Sequence, residues 1–214
     1  MTKEFIKKEI IILCVLIAPI IYMLIVWKQI PEQVPIHFNL KGEADNYGSK
    51  YLFPLLHIGL YLLLLILPKI DPRKKNYEIF SSTYFKLRFV LILFFSVIIF
   101  LIITNGIGMH VNMERILVTG LLLLFTIMGN YLGNIRPNWF IGIRTPWTLE
   151  NETVWKKTHF MAGKLWFWAG LAGLVLSFFL TGRILHYIII AIVLIISITP
   201  LVYSFIIFKK MDKR

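Results

Sequence analysis

The chain has 214 residues, 58% of them hydrophobic, and a formal net charge of +12. Soluble domains are typically about 45–50% apolar, and here the excess is gathered into long blocks, which excludes an ordinary soluble domain. The basic charge would suit nucleic acid, but 18 of the 23 Lys and Arg fall in alternate segments outside the blocks, both ends of the chain included, so the charge reads as membrane topology and no direct nucleic-acid partner is expected.

The first block, Ile10–Trp27, follows Lys3, Lys7 and Lys8. It lacks a small-x-small cleavage pattern and ends in Trp27-Lys28, so it reads as a retained helix rather than a signal peptide. The single Cys14 lies within it, has no intrachain disulfide partner and serves as a small apolar side chain. The connection that follows is "QIPEQVPIHFNLKGEADNYGSK", Gln29 to Lys50. Val34, Ile36 and Phe38 alternate, which predicts a short extended piece. Gly42, Asp45, Asn46 and Gly48 are turn formers, so a small ordered hairpin is expected. His37, Asn39, Glu43 and Asp45 are possible ligands, yet their spacing fits no standard zinc or calcium loop, and no metal is expected.

The second block, Tyr51–Leu67, carries His57, either a proton or ligand site or a neutral imidazole bonded to a neighbouring helix. The second reading is favoured, because no other histidine or carboxylate is near it in sequence. Pro68–Arg88 holds Lys69, Arg73, Lys74, Lys75, Lys86 and Arg88, a charge run suited to anionic lipid or to an acidic protein partner. The third and fourth blocks are Phe89–Ile107 and Ile116–Leu132. Gly129-x-x-x-Gly133 ends the fourth, and Ala169-x-x-x-Gly173 lies in the fifth, a spacing that permits close helix contact. Asn130 and Asn134 are placed to bond across helices or to hold the next loop.

That loop contains "NWFIGIRTPWTLENETVWKKTHF", Asn138 to Phe160. Pro146 biases Thr145 away from helix. A helix then begins, capped by Thr148 or Asn151, with Glu150 and Glu152 near its positive end and Glu152 paired to Lys156. Trp155, His159, Ala162 and Trp166 share one face, and this helix is expected to lie along the membrane surface before Gly163. Arg136 and Arg144 suit carboxylates and phosphates. Trp139, Trp147 and Trp155 suit the headgroup level. The fifth and sixth blocks are Leu165–Leu180 and Ile184–Phe208.

A spanning helix needs about 17–25 apolar residues, and continuous rather than alternating runs favour helices over barrel strands. The expected fold class is therefore an all-α polytopic membrane protein with six transmembrane helices. The positive-inside pattern makes both termini cytoplasmic, puts loop 28–50 outside and puts loop 133–164 inside. The six blocks contain no Asp, Glu, Lys or Arg. That argues against ion-coupled transport and intramembrane hydrolysis, and no nucleophile or phosphate-loop motif is present. No catalytic residue and no cofactor is expected.

Gly129-Asn130, Asn138, the run Gly142 to Leu149 (Gly-Ile-Arg-Thr-Pro-Trp-Thr-Leu) and Val154-Trp155 together resemble the signature region of the SdpI family of bacterial membrane proteins. The outer loop resembles the small domain of unknown function that often precedes it. The resemblance implies a division into 1–67 and 68–214, a multi-pass place in the bacterial cell membrane, and a role without catalysis. The family's founding member protects a toxin producer from its own secreted peptide and, with toxin present, holds a cognate repressor at the membrane. The partners implied are membrane lipids, a secreted antimicrobial peptide outside and a repressor inside. Candidate contact residues outside are Pro35, His37, Asn39, Gly42, Asp45 and Lys50. In the signature they are Gly129, Asn130, Asn138, Gly142, Arg144, Thr145, Pro146, Trp147 and Trp155. Two alternatives stand beside this reading. One is a small transporter with a polar path through Thr119, Thr126, Asn130 and His57; the other is a lipid-binding protein or enzyme using Arg136 and Arg144.

Overall fold

The computed structural model describes residues 3–39, 44–109 and 111–212. Helices α1 (Lys3–Ile25), α2 (Leu52–Ile70), α4 (Ser81–Gly106), α5 (Met113–Leu132), α7 (Glu152–Phe179) and α8 (Gly182–Asp212) are the six long apolar helices among the described residues. Each is long enough to cross a bilayer, where only internal hydrogen bonds satisfy the backbone. Two short helices, α3 (Lys74–Ile79) and α6 (Pro146–Glu150), stand in connections. Strands β1 (Gln33–Phe38) and β2 (Ala44–Ser49) pair antiparallel between α1 and α2. The described residues form two compact units.

The first unit comprises Met1–Leu64 and Arg88–Gly120. Its core gathers Met23, Val26, Ile30, Val34, Ile99, Ile103 and Met113. Val34 joins the base of the hairpin to that core. The expected alternation of Val34 and Ile36 is broken: the register runs from Pro35↔Tyr47 to His37↔Asn46 and skips Ile36, which is exposed while Val34 is buried. A bulge of this kind reorients the side chains beyond it. Gly42, with Lys41 and Glu43, lies outside the described residues.

The expectation of charge-free helices needs correction here. α1 and α4 begin well before the apolar blocks, so Glu9 and Arg88 lie inside them. Arg88 donates to both Glu9 carboxylate oxygens, at 2.6 and 2.9 Å, and the Tyr61 hydroxyl donates to Oε2 at 3.0 Å. Both charges are buried, and charges so buried persist when paired and hydrogen-bonded. Further along, Ser96 Oγ donates to the Val15 carbonyl at 3.0 Å and lies 3.1 Å from His57 Nε2. Its proton is committed, so it accepts from His57 Nε2–H. His57 is thus tied to a neighbouring helix, as expected from the sequence, with Nδ1 unpartnered among the described residues.

The second unit comprises Leu65–Leu87 and Leu121–Arg214. Its core gathers Tyr77, Phe80, Tyr84, Leu87, Leu132, Ile135, Trp155 and Ala162. α5 meets α7 through small residues: Gly129, expected to permit close contact, is met by Gly163. A Cβ on Gly129 would collide with the Phe167 backbone nitrogen, and one on Gly163 would stand 2.8 Å from the Gly129 carbonyl. Close approach there is possible only without side chains. α7 runs unbroken through Gly163 from Glu152 to Phe179, so a separate surface helix before Gly163 is not formed.

Candidate functional site

The loop from Gly133 to Asn151 is held by buried polar hubs. Asn138 is fully buried. Its Oδ1 accepts from the amides of Phe140 at 3.0 Å and Ile141 at 2.7 Å, and its Nδ2 donates to the carbonyls of Arg136 at 2.9 Å and Ile141 at 3.0 Å. One side chain therefore closes a turn that has no regular backbone ladder. Asp71, one residue past α2, is also buried. It accepts from the Arg73 amide at 2.7 Å and, 68 residues away, from the Trp139 amide at 2.9 Å. The Tyr77 hydroxyl is shared between Asp71 Oδ2 and Asn138 Oδ1, each at 3.2 Å. Burial first, and then the neighbouring Asp71 carboxylate, push the Tyr77 phenol far above its ordinary range, so it remains a donor.

Two further ties fasten the connection between α2 and α4 to this loop. Arg73 donates to the Leu149 carbonyl at 2.6 Å, and Asn76 Nδ2 to the Pro137 carbonyl at 2.6 Å. Asp71, Arg73, Asn76 and Tyr77 were absent from the expected site. The signal available in the sequence was Asp71-Pro72, a turn-forming pair directly after an apolar block.

Gly142 has φ +103°, and a Cβ there would collide with the His159 ring. Both facts require glycine. His159 Nε2 accepts from the Ile143 amide at 3.0 Å, so its proton sits on Nδ1, 2.9 Å from the Trp155 carbonyl. Thr145 caps α6 in a reciprocal box: its amide donates to Thr148 Oγ1 at 2.8 Å, and the Thr148 amide donates back to Thr145 Oγ1 at 3.3 Å. Pro146 occupies the first turn, where a missing N–H is harmless. Asn151, one of the two expected caps, caps α7, and Glu152 pairs with Lys156 at 3.2 Å.

Surface anchoring, expected for three tryptophans, is corrected for the fully buried Trp155, and Trp147 is half-buried. Only Trp139 is exposed, at 46%. Trp147 donates to Ser204 Oγ of α8 at 2.5 Å and packs beside Phe205. Trp155 is fully buried, donates to the Ile135 carbonyl at 2.8 Å and stacks on His159 at 4.0 Å. A buried indole is stable once its N–H has a partner. Arg144 is exposed and donates to the Trp139 carbonyl at 2.7 Å. Asn130 is exposed on α5, where it lines a crevice with Gly129, Lys164 and Trp168.

In the hairpin, His37 Nδ1 and Asp45 Oδ1 are 2.5 Å apart and both residues are exposed. Pro35 is half-buried, and Asn39 follows β1. Lys50 is buried beneath them: it pairs with Glu32 at 2.9 Å and lies 4.3 Å from the Trp27 ring centroid. It is a fastening at the hairpin base, whereas His37 and Asp45 face outward.

Six helices long and apolar enough to cross a membrane, with a hydrogen-bonded loop between α5 and α7, define a multi-pass helical membrane protein. Residues 134–204 match the SdpI/YfhL protein family, and residues 14–58 match a domain of unknown function, DUF1648. The chain is 28% identical over 209 residues to "Immunity protein SdpI" of Bacillus subtilis (strain 168), covering 96% of this chain and 98% of that protein. The chain is thus similar to the SdpI/YfhL family and is a multi-pass bacterial membrane protein. These relationships are to an immunity-protein family rather than to an enzyme family. No solved structure matches the chain.

Proposed function

We propose that this protein is a membrane immunity protein and sensor, acting without catalysis, that protects its cell against a secreted toxic peptide. The observation carrying the reading is the end-to-end similarity to a protein named for immunity, which spans both the hairpin and the signature loop. The alternating distribution of Lys and Arg supports cytoplasmic termini, a hairpin outside and the signature loop inside. The division into 1–67 and 68–214 is supported by the two family matches, one falling within each part. On this reading the exposed His37 and Asp45 meet the peptide, and the inner face, with the signature loop as its frame, holds a cognate repressor while peptide is bound.

The test is survival. A sensitive strain expressing the protein should withstand a peptide encoded beside its gene or made by neighbouring strains, and a strain with empty vector should not. Membrane expression that leaves sensitivity to every such peptide unchanged sinks the proposal. Orientation is checked separately by labelling a new cysteine at Asn46 or Ser82 in a Cys14→Ser background. Asn46 should label from outside the cell, and Ser82 only after permeabilisation.

A further inference from the structure

Beside the signature loop lies a cleft of about 450 Å³, within the size of ordinary small-molecule sites. Arg73, Asn76, Arg136, Glu150 and Glu152 line it. These residues belong to the connection from α2 to α4, to the loop from α5 to α7 and to the first position of α7. The cleft therefore sits at the ends of four spanning helices, where lipid headgroups lie. Ile79, 66% exposed, also lines it and offers apolar surface.

The charges are unusual in being uncommitted. The Arg136 guanidinium and the Glu150 carboxylate share the cleft, yet neither makes an ion pair or side-chain hydrogen bond with any described residue. Opposite charges thus line one cleft without pairing to each other. Arg73 is fixed through the Leu149 carbonyl, and the Asn76 amide nitrogen through that of Pro137, so their remaining donors and acceptor are pre-positioned. Among the described residues, Glu152 is tied only by its exposed pair with Lys156.

A net anion would be drawn to the arginines but repelled by two carboxylates, and a cation would meet the reverse. A guest carrying both signs a few atoms apart satisfies all four groups. We propose that the cleft binds a phosphoethanolamine group, with Arg136 and Arg73 on the phosphate and Glu150 and Glu152 on the ammonium. Arginine's planar fork suits phosphate oxygens, and carboxylates accept from an ammonium in charge-assisted hydrogen bonds.

The test uses the purified full-length protein. It is reconstituted in phosphatidylcholine nanodiscs doped with either phosphatidylethanolamine or phosphatidylglycerol, and retained lipid is counted by native mass spectrometry. Phosphatidylethanolamine should be retained over both other lipids. Arg136→Gln should lower that retention roughly tenfold, the loss of a charge-assisted contact. Glu150→Gln should abolish the preference over phosphatidylglycerol while retaining phosphate-dependent binding. Neither substitution removes a contact within the protein, so both should melt as the parent does in lipid-free detergent. In a parallel arm, soluble O-phosphoethanolamine and inorganic phosphate are added to the detergent-solubilised protein. A rise in melting temperature with O-phosphoethanolamine alone assigns the cleft to a free headgroup compound, and lipid retention without such a rise assigns it to the membrane. Retention that favours phosphatidylglycerol, retention unchanged in both variants, or no binding in either arm overturns the proposal.

Discussion

Replacing Asn138 with Ala should loosen the signature loop more than any exposed substitution in it. The side chain is fully buried and bonds two amides and two carbonyls. Tyr77 keeps Asp71 as a partner, and each carbonyl retains a second lone pair for another contact, so the two amides of Phe140 and Ile141 carry most of the loss. A buried donor left unsatisfied costs about 1–3 kcal/mol, which for two gives about 2–6 kcal/mol. At roughly 2–4 °C per kcal/mol for chains of this size, the melting temperature should fall by roughly 4–24 °C. The assay is thermal unfolding in detergent followed by tryptophan fluorescence, with tryptic cleavage after Arg144 as a local readout. Asn134→Ala, at an exposed position, serves as the control and should shift stability by no more than about 0.5 kcal/mol. An Asn138→Ala protein that melts within about 2 °C of the parent, with its loop no more cleavable, would refute the hub argument.

Gly142→Ala combines a left-handed backbone with a clash against His159; the backbone alone costs about 1–2 kcal/mol, so chemical unfolding should show a loss of at least that size. Glu9→Ala strands a buried Arg88 and should lower stability by about 3–5 kcal/mol, whereas Glu9→Leu with Arg88→Leu should recover most of it. A double variant no more stable than the single one would show that the pair is not the cause. Asp45→Asn breaks a pair whose side chains are 44% and 65% exposed, so its effect on melting should stay below about 1 kcal/mol. A fall in peptide protection with unchanged melting would then place Asp45 at the partner contact.

The spans were legible because lipid demands long apolar runs, and these stand out in any reading of the chain. Their ends were not. Glu9 and Arg88 looked like flanking charges, since nothing local shows that residues 79 apart in sequence will neutralise one another. The hairpin was legible from turn formers and alternation, but the bulge at Ile36 depends on pairing across the strands. In the signature loop, the Asn151 cap, a local signal, was readable. The burial of Trp155 depends on a carbonyl 20 residues away, and the role of Asp71 depends on an amide 68 residues away. The tryptophans looked like surface anchors because sequence shows their amphipathic character without showing which N–H groups have found partners.

Burial separates the signature residues into two kinds with different meanings for function. Asn138, Thr145, Thr148, Trp155 and His159 spend their polar groups inside the loop, and Gly142 makes room for the His159 ring. Substituting any of them tests folding first and recognition second. Trp139 and Arg144 are exposed and project from that frame, as do Glu150 and the half-buried Arg136. A frame already fixed by internal hydrogen bonds loses little conformational freedom when a guest arrives, so more of each contact appears as affinity. The dense motif between Asn138 and Phe160 is therefore mostly scaffold by residue count. Its capacity for recognition lies in the few charged and aromatic groups that the scaffold leaves uncovered.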